Sequence, residues 1–118
     1  MNHGEILVCE LSLRESWQAE LARMGYDITV ERSSAAGDSV EYSVRVQSSV
    51  VKVETYIWQS RGVTPFTGKA AVVVYPASSW SGAQYKANRL LAVQVSLTLQ
   101  SLGMRPAEKR VRDHCRQG

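Results

Sequence analysis

Two histidines and two cysteines are the residues best suited to metal or nucleophilic chemistry, and their spacing works against both uses. His3 and Cys9 stand near one end of the chain, His114 and Cys115 near the other. Zinc sites draw their Cys and His ligands from closely spaced pairs such as Cys-x-x-Cys. Here His114 and Cys115 are adjacent, about 100° apart on a helix, and no Cys-x-x-Cys is present. A Ser or Cys nucleophile needs a base oriented by a third group, and neither terminal histidine is placed for that. Gly37, Gly62 and Gly68 form neither a Gly-x-x-x-x-Gly-Lys-Ser/Thr nor a Gly-x-Gly-x-x-Gly phosphate cradle. Carboxylate pairs such as Glu15 with Glu20, or Glu41 with Glu54, read as solvated faces. The expectation is a protein that is not an enzyme, with no metal and no cofactor.

Charge gives a stronger signal than motif. Arg105 to Gly118 carries Arg105, Lys109, Arg110, Arg112 and Arg116 against Glu108 and Asp113, which is the whole formal net charge of +3. The body upstream is neutral, with nine residues of each sign. A cationic end on a neutral domain can dock on phosphates without reading sequence, and Lys86 and Arg89 can extend that surface. The segment Trp58 to Lys69 adds Trp58, Arg61 and Phe66 among small polar residues and glycines, a composition that suits partner contact or base stacking. Its alternative is a lid over the core at the open end of a sheet. The expected function is a small non-catalytic binding module contacting nucleic acid through its cationic end. The rival is a protein-interaction or inhibitor module (accessory, immunity or anti-defence type) using a sheet face, an edge strand or the long helix. An acidic protein surface fits the same charges, and a homodimer fits the rival.

These residues must be positioned by one small domain. At 118 residues and 44% hydrophobic, the chain can build one core and not two. Its longest apolar runs, Ile6 to Cys9 and Ala70 to Tyr75, fall well short of the roughly 18 residues of a membrane span. The N-terminus has no basic start, and Glu5 and Glu10 bracket the apolar patch. The expected setting is therefore cytoplasmic and reducing, with free thiols rather than a disulfide.

Ser12-Leu13-Arg14-Glu15 has the form of a capping box, with Leu13, Trp17, Leu21 and Met24 on one helical face, Arg14, Gln18 and Arg23 elsewhere, and Gly25 as the stop. Tyr26, Ile28 and Val30 alternate as a strand, as do Val40, Tyr42, Val44 and Val46. Ser48-Ser49 resists a tight turn, so 40–58 reads as one long strand bent or bulged at the serines. Lys69 to Tyr75 is apolar on both faces and reads as a well-covered strand. Residues 91–99 fit strand and helix templates alike. The length without a turn signal, opening on Ser79 or Ser81 and closing on Gly103, favours a long helix with Ala87, Leu91, Val95, Leu99 and Leu102 inside and Leu90 and Leu97 widening the stripe. Pro106 can open a last short helix with an Ala107, Val111 and Cys115 inner stripe.

The resulting fold class is α+β. It is a two-layer domain over 1–104, with an N-terminal helix, an antiparallel sheet of three to four strands and a long helix, followed by a basic segment over 105–118. Over Leu11 to Gly103 this order resembles that of double-stranded-RNA-binding domains, which run helix, three strands, helix. Those domains place a lysine cluster at the start of the second helix, where Lys86 and Arg89 stand here. The resemblance implies the layered fold; fold analogy does not license function.

Overall fold

Among the described residues short strands and two helices form, and each strand pairs antiparallel with its neighbours. The computed structural model describes residues 5–34, 39–57 and 69–107. The elements run β1 (Glu5–Glu10), α1 (Leu11–Arg23), β2 (Asp27–Ser33), β3 (Ser39–Val46), β4 (Ser49–Ile57), β5 (Lys69–Pro76), α2 (Gly82–Ser101) and β6 (Arg105–Pro106). One six-stranded sheet has the order β2-β3-β4-β5-β1-β6, and with the long helix it makes a small α+β domain.

Both helices pack on the same sheet face. Leu7, Cys9, Tyr42, Val44, Val51, Val53, Ala70, Val72 and Val74 share one buried cluster with Trp17 and Leu21 of α1 and Leu91, Val95 and Leu99 of α2. A smaller cluster of Ile6, Ala71, Val73 and Ala107 lies on the other face. Hence β1 and β5 bury side chains of both parities. That is why Ile6 to Cys9 carries no alternation, and why the expected three to four strands become six.

Four local expectations need correction. The helix α1 begins at Leu11 straight after β1, with Glu10 at the cap position and no side-chain cap bond. Pairing of Cys9 with Ala70 and of Glu10 with Lys69 carries the strand up to that point, so Ser12 lies inside the first turn and is not the cap. Secondly, Met24 is exposed while Arg14 is buried beside Trp17 and Leu21, which moves the inner stripe of α1 by part of a turn. Thirdly, the stretch expected as one bent strand over 40–58 is two strands as far as Ile57, where that described stretch ends. Val46 opposes Ser49 across a two-residue turn of Gln47 and Ser48, and Gln47 takes φ 55. Lastly, Pro106 is itself a strand residue of β6 rather than part of a helix's first turn. Leu7 pairs with Pro106 and Val8 with Arg105, and the Ala107 N–H donates to the Ile6 carbonyl at 2.8 Å. Val111 and Cys115, the rest of that expected stripe, lie outside the described residues. With β1 ahead of α1 and inserted in the sheet, the order also departs from helix, three strands, helix.

Other expectations hold. Gly25 ends α1 at φ +95, with Tyr26 N–H donating to Leu21 and Gly25 N–H to Ala22, the paired bonds of a Schellman cap. Gly103 ends α2 the same way at φ +119. Ser81 caps α2, its hydroxyl accepting from Gln84 N–H at 3.2 Å, so 91–99 is helix.

The turn at Gln47 yields a prediction. A non-glycine residue in the left-handed region carries about 1 kcal/mol of strain. Gln47→Gly is expected to raise the thermal midpoint by a few degrees. A midpoint that falls would mean that the Gln47 side chain makes a compensating contact.

Candidate functional site

Two surfaces hold grouped side chains, one on each side of the sheet. The first is built by α2. At 3.6 residues per turn, Leu91, Val95 and Leu99 form the stripe that meets β4 and β5, and Leu90, Val93 and Leu97 fall roughly opposite. The outer three are 61%, 57% and 59% exposed. They border a groove of about 590 Å³ on the flank of α2, with Val74, Pro76, Ala92 and Ser96 also lining it and Lys86, Arg89 and Glu5 bringing charge. Just before the helix, Trp80 is fully exposed. No acidic residue occurs in α2, and its two cations both lie in its N-terminal half.

The orientation of α2 is fixed by hydrogen bonds at that same half. Asn88 is buried; its Oδ1 accepts from Val50 N–H at 2.9 Å, and its Nδ2 donates to the Ala77 carbonyl at 3.0 Å. Gln84 Nε2 donates to the Ser48 carbonyl and to Asn88 Oδ1, each at 2.9 Å.

The second surface lies on the other sheet face. Glu41 and Glu54 oppose each other across β3 and β4. Tyr75 donates its hydroxyl to Glu54 Oε1 at 2.6 Å, and Tyr56 donates to Oε2. Arg32 Nη2 pairs with Glu41 at 3.1 Å. Ser43 donates to Glu31 at 2.6 Å and accepts from Lys52 Nζ at 2.7 Å. The Ser43 hydrogen bond, followed by the nearby charge of Lys52, lowers the pKa of the Glu31 carboxyl. The carboxylates here are thus held by phenols, a serine hydroxyl and cations, in cross-strand groupings of a paired β-surface.

Tyr75 carries a pH signature. Burial first, then the hydrogen bond to Glu54 and the charges of Glu54 and Glu41, push its hydroxyl well above the ordinary tyrosine range. The folded state therefore holds this proton where the unfolded chain releases it. The associated stability is intact below about pH 10 and is lost as pH rises above that value. Tyr75→Phe is expected to flatten the decline of stability with pH above about 10, read from urea midpoints. An unchanged slope would remove Tyr75 from the account.

Of the residues expected to bind, Lys86 and Arg89 both lie on α2 and line its groove, and Arg105 sits exposed on β6. Trp58, Arg61, Phe66, Lys109, Arg110, Arg112 and Arg116 lie outside the described residues, as do His3, His114 and Cys115. Cys9 is buried, and burial, aided by Glu10, raises its thiol to about 11, which makes it a packing residue rather than a nucleophile. Among the described residues no group of three or more His, Cys, Asp or Glu side chains could hold a metal ion, and no helix is long and apolar enough to cross a membrane. Val93 and Trp80 were missed as surface residues by the sequence reading. For Val93 the signal is a second apolar stripe on a helix whose first stripe already fills the core; Trp80, ahead of the helix, carries no such periodic signal.

Comparison of the chain with family models, with curated proteins and with solved structures finds no match in any of the three.

Proposed function

We propose that this chain is a non-catalytic binding module that meets a protein partner through the outer face of α2. One observation carries the reading: Leu90, Val93 and Leu97 form a continuous apolar line, each more than half exposed, beside a groove. Scattered single apolar residues are ordinary on a surface, whereas an aligned set beside a groove marks an interaction site. Trp80 supplies the residue type most enriched at the centres of interfaces. The sheet edges are poorer candidates. The edge strand β2 has a register break between Val30 and Arg32 and carries Asp27, Glu31 and Arg32, and β6 is two residues long; both are devices that blunt edge pairing.

The test is affinity capture from the native host with nuclease present. Leu97→Glu alters an exposed side chain and should leave the fold intact. The expected result is a complex kept by the unaltered chain and lost by Leu97→Glu. Retention by Leu97→Glu would overturn the reading.

A second reading places nucleic acid on the cationic end, and the concentration of the net charge in 105–118 favours it. Its discriminating variant must end after Ala107, because Arg105 to Ala107 bond to β1 and a cut at Arg105 would damage the sheet. On this reading the shortened chain loses retention on DNA and RNA at low salt, while the full chain's retention falls steeply as salt rises.

A further inference from the structure

The outer face of α2 has the spacing of a helix–helix seam. Lys86, Leu90, Val93, Leu97 and Gln100 recur at intervals of four and three residues, the pattern that keeps one line of side chains facing a partner helix. Its polarity is arranged along the axis: cations at Lys86 and Arg89, apolar residues in the middle and neutral Gln100 and Ser101 beyond. We propose that the occupant of this face is a second copy of the chain, with the two α2 helices antiparallel about a twofold axis near Val93.

The inference rests on the reading of α2 as the contact face and goes one step further by naming the partner. Three features favour a second copy. About an axis near Val93, antiparallel pairing sets Val93 against its own copy and Lys86 against Gln100, and brings Leu90 within one residue of level with Leu97 of the other chain, so the apolar line is its own complement, as an isologous contact requires. Charge selects the direction. A parallel pair would stack Lys86 on Lys86 and Arg89 on Arg89, whereas the antiparallel pair sends each cationic half to the neutral half of its neighbour. Finally, α2 holds no carboxylate, and Glu5 is the acidic residue lining the groove. A second copy therefore brings both the cations and an anion to balance them within one contact.

Sedimentation velocity of the full chain across a range of concentrations tests this directly. The expected result is a reversible dimer. Val93→Arg sets two like charges face to face at the axis and is expected to weaken association on the order of a hundredfold, with the far-ultraviolet spectrum unchanged. Direction is read by crosslinking in a Cys115→Ser background. An oxidised mixture of Leu90→Cys and Leu97→Cys chains should give the mixed disulfide in excess over either self-pair, since bridging needs Cβ atoms about 4 Å apart.

A chain that stays monomeric at high concentration overturns the proposal, as does a dimer indifferent to Val93→Arg or a predominance of Leu90→Cys self-pairs. If the chain is monomeric and Leu97→Glu still abolishes capture of a different protein, the second copy is excluded while α2 remains the contact face. If both results are negative, the contact-face reading falls with it.

Discussion

Trp17→Ala is expected to remove most of the stability of this domain. Trp17 lies on the inner face of α1 with no exposed surface and meets the Tyr42 ring edge-on, centroids 5.1 Å apart at 84°. Gln18, the next residue, donates from Nε2 to the Tyr42 hydroxyl at 2.9 Å, so the same two residues of α1 hold both the face and the tip of that tyrosine. Truncating a buried tryptophan costs about 3–5 kcal/mol through lost transfer energy and the cavity left behind. Domains of this size have only about 5–15 kcal/mol in hand. The urea midpoint should therefore fall sharply, and the chain should be partly unfolded at physiological temperature. Trp17→Phe is the informative control. The buried indole Nε1 has no hydrogen-bond partner among the described residues, and phenylalanine removes that unmatched donor while keeping an aromatic edge for Tyr42. Its cost should be less than half that of alanine. An alanine variant that loses under about 1 kcal/mol would show that α1 is not anchored here.

The helices were legible because their signals are local. Gly25 and Gly103 stop α1 and α2 through positive φ, which only the chain's own backbone geometry demands, and the uninterrupted length before Gly103 outweighed the strand-like alternation of Leu91 to Leu99. The break between β3 and β4 was also present in the sequence, as a change of parity. Inward residues are even-numbered through Val44 and odd-numbered from Val51, and cross-strand pairing of Val44 with Val51 requires a turn between them. Turn chemistry hid it, since Gln47 adopts positive φ without being glycine, asparagine or aspartate. β1 was hidden for another reason: a strand covered on both faces has no period to read, and only pairing with β5 identifies it. The role of Pro106 depended on the same long-range partner. At the candidate site, Leu90 and Leu97 were visible as apolar but were assigned to a widened inner stripe. Which side of α2 faces the sheet is decided by Gln84 bonding to the β3–β4 turn and Asn88 to β4 and the segment after β5, and such contacts cannot be read from periodicity.

Asn88 is accordingly the second residue whose loss should be severe. Its side chain continues the β4–β5 ladder where the strands end: Val51 pairs with Pro76, and one step on, the Ala77 N–H donates to the Val50 carbonyl while Asn88 takes the Val50 N–H and the Ala77 carbonyl. Asn88→Leu is close in size but leaves a buried donor and a buried acceptor unmatched, at about 1–3 kcal/mol for each group, for a total of about 2–6 kcal/mol by urea denaturation. A loss under about 1 kcal/mol would show that water replaces the amide. Asn88→Asp separates hydrogen bonding from size. The aspartate keeps the acceptor for Val50 but, when ionised, turns a second acceptor towards the Ala77 carbonyl in a buried place, so its folded pKa should lie above the ordinary value near 4. A raised folded pKa adds stability that is present below the unfolded value and is lost as pH rises through the folded one. The deficit of Asn88→Asp relative to the unaltered chain should therefore shrink on acidification from pH 7 towards 4, whereas that of Asn88→Leu should not change. Both variants loosen the attachment that fixes the rotation of α2, and Leu90 lies half a turn further along the same helix. Association through Leu90, Val93 and Leu97 should weaken in step with the loss of this attachment, although neither variant touches the contact face itself.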